Sequence, residues 1–412
     1  MDQRTVNKFL EKAIANNMIR PSQASAWSQI LMTPKPNGSW RFCVDFRNLN
    51  NMTKSMGWPI PNINQMIQRI GQKKATWYAV LDLTSGYYQA PISEESKPYT
   101  AFRTASGLWE WNRLPMGLKG APSYFQHHMQ LTVLKDLQYN ICEVYLDDII
   151  VFGDTREELM SRLDIILHRL RLFNITLNPS KVKIGLQEVE YLGHVIDRHG
   201  LSFSKEKKDK VFDFRKPSTA KEMKSFLGLT TQFRDHVQNF GELAAPLHNM
   251  IPNYKKNSPI PLRWSEDLDI SFYKLQQAVA DCTKLYFIND EDPIFLHTDA
   301  SKYGIGAYLF QVHEGVRHPI AFISRSLNKT ELKWSVQEKE AYAIFYAFMK
   351  LEHLIRDRQF VLRTDSKNLT FLNVDRREKV KRWKLAIQHF DFQIEHIAGV
   401  DNIEADQFSR LV

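Results

Sequence analysis

The stretch Glu143-Val144-Tyr145-Leu146-Asp147-Asp148-Ile149-Ile150-Val151-Phe152-Gly153 sets two adjacent carboxylates inside an otherwise apolar, strand-like run. Such a run can hold two charges only where the chain turns or where a partner compensates them, because an isolated buried carboxylate gives up its ionised form. Asp suits turns, so the pair reads on its own as the tip of a hairpin with its charge in water. It does not stand on its own. Val80-Leu81-Asp82-Leu83-Thr84-Ser85-Gly86-Tyr87-Tyr88-Gln89 ends a second apolar strand on a carboxylate, so two strands can deliver three carboxylates to one place. Three gathered carboxylates repel one another unless cations sit among them, and hard oxygen ligands of this kind fit Mg²⁺. A pair of such ions is suited to phosphoryl transfer, activating an attacking hydroxyl and stabilising the oxygen that leaves.

The rest of the chain has room for several cores. At 412 residues and 43% hydrophobic content it is long enough for two or three domains. Trp77–Leu81 and residues 140–145 read as strands, while Arg156 to Leu172 carries apolar residues at helical spacing, a mixed α/β pattern. From Lys205 to Met250 the reading turns helical, with Ser218-Thr219 and Glu222 offering a hydroxyl cap and an early acidic residue. Proline-punctuated residues 251–261 and the acidic turn Asn289-Asp290-Glu291-Asp292-Pro293 are the boundary candidates, and a C-terminal domain is expected to begin at the second. Internal repeats and long low-complexity tracts are absent, which argues against solenoids and extensive disorder.

The net charge of +9 is spread along the chain, with 18 Lys and Arg against 15 Asp and Glu in residues 294–412. A mildly basic surface suits a polyanionic partner and equally suits none. No stretch reaches the roughly 18 to 20 apolar residues of a membrane span, and the start MDQRTVNKFLEK lacks the layout of a signal peptide. A cytosolic location with no membrane partner is therefore expected. Cys43, Cys142 and Cys282 are far apart without C-x-x-C spacing, and read as apolar fillers in a reducing compartment.

In combination these residues resemble a known family. Tyr145-Leu146-Asp147-Asp148, the upstream strand with Asp82, and Arg113-Leu114-Pro115-Met116-Gly117-Leu118-Lys119-Gly120-Ala121-Pro122-Ser123 between them are similar to the motifs of reverse transcriptases. Lys35-Pro36-Asn37-Gly38-Ser39-Trp40-Arg41-Phe42-Cys43-Val44-Asp45-Phe46-Arg47 resembles the fingers segment. Tyr191-Leu192-Gly193-His194 and Ser225-Phe226-Leu227-Gly228-Leu229 complete a pattern most like gypsy-class long-terminal-repeat retrotransposons. The resemblance spans nearly the whole chain in the family's order. It implies an α/β and α+β multidomain chain, a right-hand polymerase of fingers, palm and thumb followed by a ribonuclease H-like α/β domain. The expected divisions are residues 1–204 for fingers and palm, 205–291 for thumb and connecting region, and 292–412 for the ribonuclease H domain.

By the same resemblance Asp82 and Asp147 ligate the ions, with Asp148 as the third acid. Lys35 and Arg41 grip the incoming triphosphate, an ammonium and a guanidinium being the two good phosphate partners. The loop around Met116 and Gly117 closes over the nucleotide, Met standing where many retroviral enzymes have Gln. Tyr87 is the steric gate against ribonucleotides, with Tyr88 as the competing candidate. Leu192 and Gly193 belong to the hairpin that holds the primer terminus, and the helix around Phe226 to Phe233 resembles the thumb element along the duplex.

The C-terminal part supplies a second acidic set. Asp299 lies in a strand that reads as running on through Gly304-Ile305-Gly306-Ala307-Tyr308-Leu309, Glu340 opens an apolar helical stretch, Asp365 ends another strand, and Asp406 follows near the end. That order resembles ribonuclease H, and the resemblance makes all four ligands of two Mg²⁺ ions. His396, ten residues before Asp406, has a spacing similar to the histidine loop of retroviral ribonuclease H domains and suits proton transfer.

The reading is then an RNA- and DNA-templated DNA polymerase with a tethered ribonuclease H. It implies two Mg²⁺ per active site with Mn²⁺ as an alternative, and as partners a primed RNA or DNA template, RNA/DNA hybrid and deoxynucleoside triphosphates. A monomer or dimer in the cytoplasm, within retrotransposon particles, is expected. Two rivals stand beside it: a catalytically silent nucleic-acid-binding subunit, against which the intact acids argue, and an intron- or telomere-type enzyme, against which the ribonuclease H part argues. Without Asp-Thr-Gly or Asp-Ser-Gly, a zinc knuckle or an integrase-like zinc site, the chain reads as a piece of a larger polyprotein.

Overall fold

In the computed structural model, the described residues are 3–34, 38, 40–238, 240–251, 261–302, 304–364 and 377–396. They divide into two compact units, Met1–Leu192 and Gly193–Val412. Of the residues singled out above, Lys35, Asp365, Asp406 and most of the 251–261 boundary stretch lie outside the described residues.

The first unit is built on an antiparallel sheet in the order Cys142–Tyr145, Asp148–Gly153, Trp77–Asp82, Lys183–Leu186. Its central strands carry Tyr78, Ala79, Leu81, Ile149, Ile150, Val151 and Phe152, none more than 1% exposed. Both faces are thus covered, which is why these strands read as continuous apolar runs instead of alternating ones. Helix Arg156–Leu172 presents Leu159, Leu163, Ile166 and Leu170 to one face together with Phe125 of helix Ala121–His128. Its Thr155 cap accepts from the Glu158 N–H, so the start anticipated at Arg156 has a physical cause. Helix Ile63–Gln72 serves the other face, where Arg69 donates to Glu143 at 2.7 and 3.2 Å.

Around this sheet the N-terminal part of the unit forms its own core. Helix Gln3–Ala15, the hairpin Ile30–Pro34 with Trp40–Val44, and the sheet Ile19–Pro21, Gly107–Trp111, Phe102–Thr104 close over Val6, Leu10, Phe42, Phe46, Phe102 and Trp111.

In the second unit, helices Lys205–Phe212, Ala220–Thr231, Phe240–Met250 and Glu266–Ala280 share a core of Met223, Phe226, Phe240, Leu247 and Phe272. Thr219 caps the second helix through the Glu222 N–H, and Glu222 in turn accepts from Ser218. A separate core gathers Leu296, Leu309, Ile344, Phe348, Leu351 and Leu362. It lies between helix Val336–Ile355, which starts in a Ser335/Glu338 capping box, and a sheet ordered Val316–Ser326, Gly304–His313, Ile294–Ala300, Phe360–Thr364, Phe392–His396. Ile294–Ala300 runs antiparallel to Gly304–His313 and parallel to Phe360–Thr364. One sequence reading is corrected here: the strand holding Asp299 does not run on through Gly304. The chain reverses, with Asp299 opposite Gly306, and the Ser301 N–H and hydroxyl bond back to Gly304.

The Arg69–Glu143 pair gives a test of the first unit's packing. Glu143 is 1% exposed, and removing its partner strands a charge in the interior. Arg69→Met should lower unfolding free energy by about 3 kcal/mol, and Arg69→Met with Glu143→Leu should recover most of it. Urea unfolding of both variants measures this; equal loss in the two would show that the pair's charges are not what matters.

Candidate active sites

The strand pair at the centre of the first unit brings the predicted acids together. Asp82 lies opposite Asp148 in register, and Tyr145 opposite Asp148 closes the hairpin with Leu146 and Asp147 as its two-residue turn. The Asp147 carbonyl accepts from the Leu83 N–H at 3.1 Å. Gly86 makes room for the Asp147 side chain: a β-carbon on it would stand 2.3 Å from Asp147 Oδ1. Preceding Ser85, at φ +53°, turns the chain sharply enough to bring that glycine in.

The electrostatics follow from this crowding. Burial first, then the charges of Asp148 and Asp82, push the Asp147 carboxyl up to about 6, against the pull of Lys181. Asp148 is raised for the same reasons, burial leading and Asp82 following. Lys181 was not anticipated: its Nζ lies 2.9 Å from Asp82 Oδ2, and that hydrogen bond leads the causes raising its ammonium. Nothing in the sequence around Lys181 marks it, because it reaches Asp82 only through the pairing of neighbouring strand Lys183–Leu186 with Trp77–Asp82.

A divalent cation is compatible with these residues. Asp147 Oδ1 is buried with no hydrogen-bond partner among the described residues, a cost that a cation relieves. As they stand, no group of three or more His, Cys, Asp or Glu among the described residues converges as a ready metal cage.

Tyr87 follows Gly86 in a short 3₁₀ turn, half-buried, its ring 5.3 Å from Phe125. Burial, then the Asp147 charge, pushes its hydroxyl up to about 12. Tyr88 points elsewhere and stacks on Trp111 at 5.1 Å in the N-terminal core. Arg41 is exposed on the hairpin strand Trp40–Val44, paired with Thr33. Met116 is 41% exposed. Gly117 holds φ +98°, and its carbonyl accepts from Asn50 at 2.8 Å, so glycine is required by conformation there. Leu192 and Gly193 hold φ +49° and +81°.

In the second unit Asp299 and Glu340 are both buried, on the central strand and on the helix packed against its sheet. Strand Phe360–Thr364 is parallel to the Asp299 strand, and Asp365 lies outside the described residues. His396 is exposed and is the last residue of strand Phe392–His396, paired with Thr364; it sits in a strand where the sequence reading has a loop.

Crowding at Asp147 has a consequence for stability. A raised carboxyl takes its proton in the folded chain before it does in the unfolded one, so folded-state stability falls as pH rises from about 4 to 6. With chelator present, Asp147→Asn should remove that slope and stabilise the chain at pH 7.5 by about 1 kcal/mol, allowing for solvent screening. Parallel stability-against-pH curves for variant and wild type would refute the assignment.

Comparison with known proteins fits this geometry. Residues 33–196 match the family model described as reverse transcriptase (RNA-dependent DNA polymerase), and residues 289–390 match the RNase H-like domain found in reverse transcriptase. The chain is 34% identical over 420 residues to the retrovirus-related Pol polyprotein from transposon opus of Drosophila melanogaster, covering 98% of this chain and 42% of the relative. It is 31% identical over 421 residues to that from transposon gypsy of the same fly, covering 98% and 40%. The chain spans less than half the length of these relatives. Among solved structures, the foamy viral protease-reverse transcriptase dRH in complex with double-stranded DNA superposes with a TM-score of 0.83 at 22% identity, covering 96% of this chain and 70% of that one. The foamy viral protease-reverse transcriptase in complex with RNA/DNA hybrid gives 0.81 at 22%, covering 96% and 54%; at such identity the likeness concerns the fold. The chain thus joins, in one polypeptide, a region matching reverse transcriptase and a region matching the RNase H-like domain found in reverse transcriptase.

Proposed function

We propose that this chain copies RNA and DNA templates into DNA and, through its second unit, cuts the RNA strand of RNA/DNA hybrids. The observation that carries the reading is the register pair Asp82–Asp148 with Asp147 in the adjoining turn. Its partners on this reading are a primed template, the hybrid and deoxynucleoside triphosphates, to which the net charge of +9 is suited. Fingers and palm are assigned to residues 1–204, thumb and connecting region to 205–291, and ribonuclease H to 292–412. A place within retrotransposon particles belongs to the same reading.

Asp82, Asp147 and Asp148 would hold Mg²⁺ in the first unit, and Asp299 and Glu340, with Asp365 and Asp406, in the second. Bound there, two divalent cations, Mg²⁺ or Mn²⁺, supply charge stabilisation for the attacking and departing oxygens. The protein's part is positioning. The antiparallel strands fix Asp82 and Asp148, while Lys181 holds Asp82 when no cation does. Arg41, with Lys35, receives the triphosphate; the turn at Met116 and Gly117 covers the nucleotide; Leu192 and Gly193 support the primer end. His396 moves a proton at the second site. One experiment tests the whole: extension of a labelled primer on an RNA template, scoring DNA synthesis and template degradation in the same tube. No DNA product would overturn the reading.

The two sites should separate. Asp147→Asn should reduce extension by at least about 100-fold while leaving hybrid RNA hydrolysis intact, and Glu340→Gln the reverse, on the scale of losing a preorganised electrostatic group. A variant that lost both activities while folded would contradict two independent sites.

Tyr87 provides a second test. Its ring packs beside Asp147 and Phe125, where one added oxygen on a sugar must displace a neighbour. Overpacking of that kind costs about 1–3 kcal/mol, so Tyr87→Val should raise ribonucleotide relative to deoxyribonucleotide incorporation by about one to two decades. Tyr88→Val, which removes a stacking partner of Trp111, should chiefly lower stability. Incorporation efficiencies for both sugars in both variants decide; an unchanged ratio in an active Tyr87→Val enzyme removes the gate from Tyr87.

A further inference from the structure

The Leu146–Asp147 turn has a sequence that does not suit its shape. Two-residue hairpin turns with a left-handed first position favour Gly, Asn or Asp, since a β-carbon there crowds the backbone. Leu146 nevertheless holds φ +53°. Gln126, on helix Ala121–His128, explains how. It is 0% exposed, its Nε2 donates to the Val144 carbonyl at 2.9 Å, and its Oε1 accepts from the Leu146 N–H at 2.7 Å. One side-chain amide thus grips the backbone on both sides of Tyr145. The far side of the turn is tied separately, by Leu83 N–H to the Asp147 carbonyl at 3.1 Å and by the Tyr191 hydroxyl donating to the Asp148 carbonyl at 3.2 Å.

We infer that Gln126 is a positioning residue whose amide holds the Leu146–Asp147 turn in the strained form that presents Asp147 and Asp148 beside Asp82. Its removal leaves a buried N–H and a carbonyl facing an apolar side chain, and both demand partners. The turn relaxes toward a right-handed Leu146, and Asp147 moves with it. The helix carrying Gln126 also carries Phe125, which packs on Tyr87, so one rigid element sets both the acids and the ring beside them. The catalytic meaning of this grip rests on the polymerase reading above; the grip itself does not.

The test uses the full chain with Gln126→Leu, which deletes both bonds, and Gln126→Glu, whose buried, protonated carboxyl keeps an acceptor for Leu146 N–H and one O–H donor for the Val144 carbonyl. Amide hydrogen exchange at Leu146, measured without nucleic acid or divalent cation, should be slow in wild type and about 10-fold or more faster in Gln126→Leu. The kcat for primer extension should fall by about 10- to 100-fold in Gln126→Leu and by less in Gln126→Glu. The KM for nucleotide, primer-template affinity and hybrid RNA hydrolysis should stay within about twofold of wild type. Unchanged exchange and kcat in a folded Gln126→Leu chain would overturn the inference, as would an equal fall in kcat and primer-template affinity, which a merely structural role predicts. If Gln126→Leu does not fold, Gln126→Met, which likewise has neither the donor nor the acceptor, takes its place, a wild-type kcat overturning the role. If wild type fails to extend primers, the polymerase reading falls, and Leu146 exchange still decides whether Gln126 holds the turn.

Discussion

Like charges at the ends of neighbouring strands repel, and the first unit is organised so that this repulsion does not spread the strands apart. Asp82 and Asp148 are opposed in the ladder itself, a placement that is unfavourable in any sheet. The ladder survives because its interior is sealed: the residues inward of the two acids are almost wholly buried on both faces, so separating the strands would expose a large apolar area. Cohesion of the strands and repulsion at their tips are thus set against each other in the same two elements. The Lys181 ammonium offsets part of the repulsion at Asp82, while burial first, and the neighbouring charges after it, raise the carboxyls of Asp147 and Asp148.

The second unit meets a similar demand differently. Asp299 and Glu340 are more deeply buried than the acids of the first unit, one in the middle of a five-stranded sheet and one on a long helix that shares its core. Rigid elements on two sides set the separation of these acids, with no tight turn involved. The reversal at Ser301 contributes to that rigidity. By folding Gly304–His313 back along Ile294–Ala300, it pairs Asp299 with Gly306, while Phe360–Thr364 pairs with the same strand on its other side at Phe295, Leu296 and His297.

Much of this was legible in the residues. Continuous apolar runs located the central strands, the Thr219 cap located one helix start, because hydroxyl capping acts over three residues of local sequence, and helical spacing of apolar residues located the helix from Arg156. Asp82 was read at the end of one apolar run and Asp147 and Asp148 inside another, and the antiparallel ladder sets these acids side by side. Other features came only with the fold. Lys181 and Gln126 reach their partners over 99 and 20 positions of sequence, and neither is marked by a pattern in its own neighbourhood. Tyr191 was read with the primer-holding hairpin, yet its side chain is buried and its hydroxyl bonds Asp148. The missed reversal at Ser301 has a local reason: Ala300-Ser301-Lys302-Tyr303-Gly304 lacks the Asn-Gly or Asp-Gly pair that announces a short hairpin, and the apolar character simply continues.

Backbone strain gives the arrangement its logic. Ser85, Leu146 and Leu192, all at positive φ, lie respectively just after Asp82, just before Asp147, and just after the tyrosine bonded to Asp148. A left-handed residue with a β-carbon costs about 1–2 kcal/mol relative to its right-handed form, so three such residues flanking one set of acids represent a sizeable local cost. Strain of this kind persists only where the surroundings over-determine it. Here they do: Gln126 holds one residue, the Tyr191 hydroxyl fixes the neighbouring strand, and the Gln89 amide spans Thr84 and Thr176 at 2.7 and 3.0 Å just beyond Ser85. Glycine at these positions would relieve the strain, but it would also release the carboxylates from a single geometry. Bulky residues in left-handed turns, gripped from outside, give a site that has one shape instead of several, and that fixity is what preorganised acids require.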